Sequence, residues 1–240
     1  MGDPVRFLIH GGSGRMGRAL LRLCAEGVPA GCTVVAAVSR RPPQRVVDGV
    51  PQFSTSELSG VPRFDVAIDF SLPEGFDPLL ALCRQRGAAL VSGTTGLSGE
   101  QRQAMADAAT GIPVLWAANF SLGVAVLEEL VERAAGTLAG WDCDIVETHH
   151  VHKKDAPSGT ALALGAAAEQ AGAGPRYASL RAGDVVGEHL VQFTGPGERI
   201  ELVHRATSRD VFARGALLAA SRLRAMGPGA WRLRDLLQAP

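Results

Sequence analysis

The chain has no surplus charge of either sign, with 24 Lys+Arg against 24 Asp+Glu in 240 residues. That balance gives no basic field for nucleic acid and no polybasic membrane anchor, so charge-based recognition has to be local. No apolar run is long and uninterrupted enough to span a bilayer. The four cysteines, Cys24, Cys32, Cys83 and Cys143, form no Cys-x-x-Cys pair. They are expected to be reduced thiols used as small core residues in a cytosolic protein. No signal peptide is expected ahead of the strand-like run Val5–His10. Met1-Gly2 opens a myristoylation pattern, but Arg6 stands where that pattern needs Ser or Thr. No internal repeat, low-complexity tract or flexible linker breaks the chain.

What is present is a packed globular sequence, 46% hydrophobic, long enough for one large or two modest domains. The first half alternates strand-length apolar runs with helical patterns. Strands are expected at Val5–His10, Thr33–Val38, Asp65–Phe70, Ala88–Ser92 and Pro113–Ala118. Helices are expected at Arg15–Glu26, about Glu74–Arg86, and from a capping box at Ser98/Gln101 to about Ala109. This rhythm predicts a Rossmann-like, doubly wound α/β parallel sheet. The second half predicts an α+β domain with a mixed or antiparallel sheet. Its helices are Leu122–Leu138 and Ser158–Ala171. Its strands are Asp144–His152, Val185–Phe193 and Ile200–Ala206, the last two joined through Gly195-Pro196-Gly197. A helix over Val211–Met226 and a helical tail at Trp231–Leu237 close the chain. The expected division is a dinucleotide-binding domain of residues 1–120, with about 208–240 packing back onto it. Residues 121–207 make the second expected domain.

After the first strand, Gly12-x-Gly14-x-x-Gly17 has the dinucleotide fingerprint in its strand–turn–helix context. Arg15 is either a phosphate neighbour or a solvated helix residue. At the end of the second strand, Ser39 and Arg40 replace the carboxylate that would hold the 2′-hydroxyl of NAD, which favours a 2′-phosphate and NADP. The loops Gly93-Thr94-Thr95-Gly96 and Ala117-Ala118-Asn119-Phe120 follow strand ends, where ligands of open parallel sheets bind.

The densest chemistry lies between Glu147 and Leu162. Three of the six histidines, His149, His150 and His152, fall here. Lys153 and Lys154 follow, then a Pro-Ser-Gly-Thr helix start. Imidazole transfers protons near neutral pH, lysine holds anions, and a helix start offers backbone N–H groups to a carboxylate. No metal site is expected: the spacing matches no zinc signature, and a cation would compete with the lysines. Cys143 is not expected to be a nucleophile, because Asp142 and Asp144 would raise its pKa. His10 and His204 read as structural histidines, and His189 as structural or at a subunit contact.

Together these motifs resemble the dihydrodipicolinate (4-hydroxy-tetrahydrodipicolinate) reductase family of bacterial and plant lysine synthesis. The resemblance runs over nearly the whole chain. It is carried by Gly14–Gly17, Asp69-Phe70-Ser71, Gly93–Gly96, Ala117–Ser121, Glu147–Leu162 and Arg181–His189. The resemblance implies hydride transfer from NAD(P)H to a small cyclic dicarboxylate with a conjugated C=N bond. It implies His149 as acid/base, Lys153 as catalytic and substrate-binding, and His150, Gly159 and Thr160 as substrate contacts. It implies cofactor contacts from Gly11, Gly12, Ser13, Gly14, Arg15, Met16, Ser39, Arg40, Gly93, Thr94, Thr95, Ala117, Ala118, Asn119 and Phe120. NADPH is the expected hydride donor, with NADH as a second. A homotetramer is implied too, with residues 121–207 as the substrate-binding and oligomerisation domain. Departures are Ser39, where many members are acidic, Leu72, where Arg is common, and a short 171–179 segment expected to be a trimmed surface loop. The competing readings are another two-domain amino-acid-pathway dehydrogenase and a non-catalytic NADP-binding sensor.

Overall fold

A computed structural model describes residues 3–41 and 44–237. The Met1-Gly2 reading and the extreme ends of the expected first domain lie outside the described residues. The chain divides into two compact units, Met1–Phe120 with Phe212–Pro240, and Ser121–Val211.

In the first unit, β1 (Val5–His10), β2 (Cys32–Ser39), β5 (Val66–Asp69), β6 (Ala89–Ser92) and β7 (Pro113–Trp116) are the expected strands, within a residue or two at each end. Between them run α1 (Arg15–Ala25), α2 (Pro73–Arg86) and α3 (Gly99–Ala108). With β3 at Val46–Val47, β4 at Val50–Ser54 and β12 at Gly229–Trp231, the sheet order is β12-β7-β6-β5-β1-β2-β4-β3, with every pair parallel except β3/β4. Because β1 leads outward to β2 on one side and β5 lies on its other side, right-handed crossovers put α1 on one face and α2 and α3 on the opposite one. Leu8, Ala67, Leu90 and Val114 pack with Phe76, Leu79 and Cys83 of α2 and Ala108 of α3. The capping box that opens α3 is formed, Gln101 N–H donating to Ser98 Oγ at 3.1 Å and Ser98 N–H to Gln101 Oε1 at 3.1 Å.

Two strands beside β2 went unread in the sequence. β3 (Val46–Val47) and β4 (Val50–Ser54) are short, and Pro51 argues against a strand, yet β4 extends the edge beside β2. A turn of 3-10 helix, Thr55–Gly60, follows β4. At the other end, α6 (Asp210–Leu223) stops before Met226. The helical tail expected over Trp231–Leu237 is present as α7 (Leu233–Leu237), and an unread strand, β12 (Gly229–Trp231), precedes it and pairs with β7.

In the second unit, α4 (Leu122–Thr137) and α5 (Gly159–Gln170) pack on one face of a four-stranded sheet ordered β11-β10-β8-β9. β8 (Asp142–His149) alternates exposed and buried residues, so Cys143, Ile145, Glu147 and His149 all face inward. β10 (Gly187–Gly195) and β11 (Glu198–Ala206) form the expected antiparallel hairpin, closed at Gly195↔Glu198. One expectation fails here, and one strand went unread. β8 ends at His149, not His152, so His150 and His152 leave the strand in a turn and do not share a strand face. Within the short 171–179 segment, residues from Pro175 on open β9 (Pro175–Arg181), an unread edge strand parallel to β8. Its opening proline and its polar, exposed side chains hid it.

Candidate functional site

The topological switch point of the first unit lies between β1 and β5, at whose carboxyl ends ligands of this sheet type bind. A cavity of about 590 Å³ lies there, lined by Gly11, Ser13, Gly14, Ser39, Arg40 and Phe70 among others. The glycine loop is held from below: Gly11 and Gly12 N–H both donate to Val38 O, at 2.9 and 3.0 Å. Gly11 takes φ +85, and a Cβ there would meet the Phe70 carbonyl. Gly14 caps α1 without any side-chain hydrogen bond, and the first turn carries no acid. The helix start is therefore left to an anion.

Gly17 faces back into this loop. A Cβ on it would meet the Gly11 carbonyl oxygen and come within 2.6 Å of Gly12 Cα. Both obstacles are backbone, so α1 would have to move. Gly17→Ala is expected to cost about 3 kcal/mol, as overpacking does, lowering Tm by roughly 6–12 °C. It should also weaken nicotinamide-cofactor binding more than tenfold. A thermal melt and a fluorescence titration check this; an unchanged cofactor affinity would show that the loop does not touch the cofactor.

Ser39 is buried, and its hydroxyl accepts the Ser13 N–H at 2.9 Å, so it supports the glycine loop as well as lining the cavity. Arg40 is exposed and lines the cavity beside Thr55 and Ser56. Arg45 is engaged elsewhere, paired with Glu57 at 2.6 Å. Leu72, exposed, also lines the cavity.

A buried network along the carboxyl edge of this sheet was not anticipated. The fully buried Asp69 at the end of β5 contacts His10 Nδ1 at 2.9 Å and accepts from Ser92 Oγ at 2.9 Å and Thr94 Oγ1 at 2.7 Å. Burial alone would raise its pKa, but the hydrogen bond from His10 and those of Ser71 and Thr94 bring it below the usual value. Trp116 Nε1 then donates to the Thr94 carbonyl at 2.9 Å. The ends of β1, β5, β6 and β7 are thereby tied in sequence. The Thr94 side chain points into this network, while Thr95 is exposed. A Cβ on Gly93 would strike the Phe70 ring, and Phe70 lies edge-on to Phe120 at 5.4 Å. Ala117 N–H donates to Ser92 O at 3.1 Å, so Ala117–Phe120 follows this same edge. His10 is thus a partnered histidine as read, but one that lines the cofactor-sized cavity.

In the second unit the inward face of β8 carries the chemistry. Glu147 and His149, two residues apart on one strand face, are hydrogen-bonded through His149 Nδ1. Glu147 is fully buried and is gripped by Arg181 of β9, with Nη2 to Oε1 at 2.9 Å and Nη1 to Oε2 at 3.0 Å. Burial pushes the Glu147 carboxyl up, but Arg181, Ser179 and His149 outweigh it and bring it to about 2. An ionised carboxylate on Nδ1 fixes that nitrogen as N–H and leaves Nε2 to face outward. Gly187 makes room for it: a Cβ there would sit 3.0 Å from His149 Nε2.

Arg181 also donates to the carbonyls of Lys153 at 3.3 Å and Asp155 at 2.6 Å, clamping the segment that carries Lys153. Lys153 Nζ pairs with the exposed Asp155 at 2.9 Å. His150 follows the strand end; desolvation and the nearby Arg209, His152, His149 and Lys153 lower its pKa. Ser158 Oγ caps α5 by accepting the Ala161 N–H at 3.1 Å, which places Gly159 and Thr160 in the first helical turn. No atom lies within 4 Å of where a Gly159 Cβ would be, so that turn faces open space. Among the described residues no cluster of three or more His, Cys, Asp or Glu is placed to hold a metal ion. Burial, with Asp144 second, raises the Cys143 thiol to about 11, so the expected inertness holds with burial as its main cause.

Sequence reasoning missed Glu147 and Arg181 as parts of this site. Glu147 was legible, since a period of two puts positions 147 and 149 on one strand face. Arg181 was not, because its approach depends on the unread β9.

His189 on β10 is also buried here. Desolvation first, then the charges of His149 and His204, depress its pKa to about 4. An unfolded histidine, near 6.5, takes a proton first. The stability contributed by neutral His189 is therefore complete above pH 6.5 and is lost as pH falls toward 4. Glu147 adds loss below about 4.5 with the same sign. Denaturant titrations should show stability falling by about 3 kcal/mol between pH 7 and 4. His189→Leu should flatten that limb, and an equal slope in both proteins would exclude His189 as its source.

Comparison with known proteins places the chain. Residues 5–120 match the family described as dihydrodipicolinate reductase, N-terminus, and residues 123–237 match dihydrodipicolinate reductase, C-terminus. The chain belongs to the dihydrodipicolinate reductase family. It is 74% identical over 236 residues to the 4-hydroxy-tetrahydrodipicolinate reductase of Stenotrophomonas maltophilia (strain R551-3), covering 98% of each chain. Against the reductase of that name from Xylella fastidiosa (strain 9a5c) it is 62% identical, covering 99% of this chain and 100% of the other. Among solved structures, the dipicolinate-bound dihydrodipicolinate reductase from Paenisporosarcina sp. TG-14 superposes with a TM-score of 0.81. It is 20% identical and covers 97% of this chain and 99% of that one, a likeness of fold. The family is one of pyridine-nucleotide-dependent oxidoreductases, which agrees with the glycine loop and the parallel sheet that carries it. No helix among the described residues is long and apolar enough to cross a membrane.

Proposed function

We propose that this chain reduces 4-hydroxy-tetrahydrodipicolinate to tetrahydrodipicolinate with hydride from NAD(P)H, in the diaminopimelate route to lysine, in the cytoplasm. The observation that carries this is the 74% identity to a reductase of that name over 98% of both chains. In this reading the first unit binds the cofactor and the second binds the substrate, a small cyclic dicarboxylate. The 4-hydroxyl first leaves as water with a hydrogen from carbon 3, hydride then adds at ring carbon 4 of the resulting conjugated C=C–C=N system, electrons shift toward the ring nitrogen, and the enamine so formed takes a proton at carbon 3. His149 supplies that proton from Nε2 of its imidazolium form, and the Nδ1–H that stays behind remains bonded to Glu147. Lys153 stabilises the developing charge and holds a carboxylate. Gly159 and Thr160 hold a carboxylate at the start of α5, and His150 is a substrate contact.

The cofactor contacts are Gly11 to Met16, Ser39, Arg40, Gly93 to Thr95 and Ala117 to Phe120. NADPH is the preferred donor, because β2 ends in Ser39 and Arg40 with no carboxylate to repel a 2′-phosphate. The test follows nicotinamide absorbance with substrate generated in situ by a synthase from pyruvate and aspartate semialdehyde, NADPH against NADH. Rapid oxidation, faster with NADPH, supports the reading. Tight NADPH binding without turnover would overturn it in favour of a sensor.

The assembly in this reading is a homotetramer built on the second unit. Support comes from the face of its sheet that turns away from α4 and α5. There Leu180 and Val203 are exposed at 54% and 41%. Around them lie the pairs Arg176–Asp144, Arg199–Glu201 and Arg205–Glu188. An apolar centre rimmed by charges of both signs suits a self-complementary contact. Leu180→Glu with Val203→Glu is expected to reduce the particle mass in light scattering from four chains to one or two. A wild-type chain that already runs as a monomer would refute the assembly.

A further inference from the structure

We propose that His189 is a positioning residue that braces both the start of α5 and the imidazole of His149. This rests on the reductase reading. His189 is 4% exposed, and its Nε2 lies 3.2 Å from Ser158 Oγ. Its ring meets that of His149 edge to face, with centroids 5.2 Å apart and planes at 75°. One side chain on β10 therefore touches the cap of the anion-facing helix and the proton donor on β8. The titratable groups acting on it are His149 and Glu147 from β8, His204 from β11 and Lys153 from the loop. Its depressed pKa keeps the ring neutral at neutral pH and adds no charge beside His149.

The tautomer follows from the hydrogen-bond accounting. His189 Nδ1 is buried with no partner. Were the Ser158 hydroxyl to donate to Nε2, Nδ1 would carry a buried N–H with no acceptor, the rarer and costlier defect. With the proton on Nε2, that N–H donates to Ser158 Oγ, and Nδ1 keeps only a bare lone pair. Ser158 Oγ then accepts twice, from His189 and from Ala161 N–H at 3.1 Å. Both its lone pairs are used, and its remaining valence is a donor, the polarity that an anion at this helix start requires.

The fold repeats the device one strand over, which supplies a control. His204, directly opposite His189 in the hairpin, has Nε2 3.2 Å from Ser121 Oγ, and Ser121 caps α4 by accepting Val124 N–H at 3.3 Å. His204 has no ring contact with His149 among the described pairs, which link it only to His189 at 6.4 Å.

The test uses the full chain with two readouts, steady-state kinetics and the Kd of dipicolinate, the aromatic dicarboxylate. His189→Leu is expected to raise substrate KM and dipicolinate Kd roughly tenfold, with cofactor Kd unchanged. His189→Gln keeps an N–H for Ser158 but loses the ring edge against His149. It should leave KM and dipicolinate Kd within about twofold of wild type while lowering kcat about fivefold. In a Ser158→Ala background, His189→Leu should add no further loss of dipicolinate affinity. Additive losses, a Gln variant as weak in binding as Leu, or a His204→Leu variant with the same KM rise would overturn the proposal. Should His189→Leu not fold, the Gln variant with and without Ser158→Ala decides alone. Dipicolinate binding by a wild type that shows no turnover would sink the reductase reading while leaving the His189 comparison readable.

Discussion

Replacing His149 by Gln, or Lys153 by Ala, is expected to abolish most turnover while leaving the cofactor bound. Proton transfer by a positioned imidazole contributes about 10²–10⁴-fold, so His149→Gln should lower kcat by that factor with little change in KM. Glutamine still fills the space and can bond Glu147, which separates loss of chemistry from loss of structure. Lys153→Ala should lower kcat by about 10²–10³ and raise KM as well, because its ammonium also holds a carboxylate. Both chains should bind NADPH like the wild type, since every proposed cofactor contact lies in the first unit. A His149→Gln enzyme within tenfold of wild-type kcat would remove His149 from proton transfer and turn attention to His150.

The second large effect concerns a residue that touches no substrate. Glu147→Gln takes the carboxylate from a fully buried position where Arg181 donates to both its oxygens. Breaking a buried pair from one side strands the other charge, at about 3–5 kcal/mol. Arg181 is partly accessible, so the lower end is expected, near 3 kcal/mol, with Tm down by roughly 6–12 °C. Function should suffer separately, because a neutral amide no longer fixes Nδ1 of His149 as the protonated nitrogen. The kcat should fall at least tenfold even well below Tm. Pairing Glu147→Gln with Arg181→Met should recover stability without recovering kcat, since the stranded charge is gone and the tautomer is still unset. Joint recovery of both would mean that Glu147 serves folding alone.

Much of this was legible in the residues. Unbroken apolar runs placed β1, β2, β5, β6 and β7, because buried parallel strands read that way, and the Ser98/Gln101 box marked its helix start. The misses have physical reasons. β4 contains Pro51 and β9 begins at Pro175, and at a sheet edge a missing N–H costs little. β12 has only three residues, too few for any pattern. β8 ran long on paper because His150 and His152 kept the alternation of the strand after its pairing had ended. Within the site, residues joined by short spacing were found and residues joined by folding were not. His149, Lys153 and the Ser158–Thr160 turn came from one segment. Arg181 reaches Glu147 only through β9. The bonds from Asp69 to His10, Ser92 and Thr94 need three strands side by side.

The placement of β12 has a further consequence, for the order of events during synthesis. β7 leaves the ribosome well before the strand that covers its outer edge, Gly229–Trp231, which follows all of the second unit. Throughout that interval the nascent first unit carries an open parallel edge, the kind of surface on which chains aggregate. The second unit, whose residues are contiguous, can complete its own sheet in the meantime. The residues that seal the first unit are therefore made only after the second unit, and a ribosome that stalls before Gly229 would release a chain with its second unit whole and its first unit unfinished.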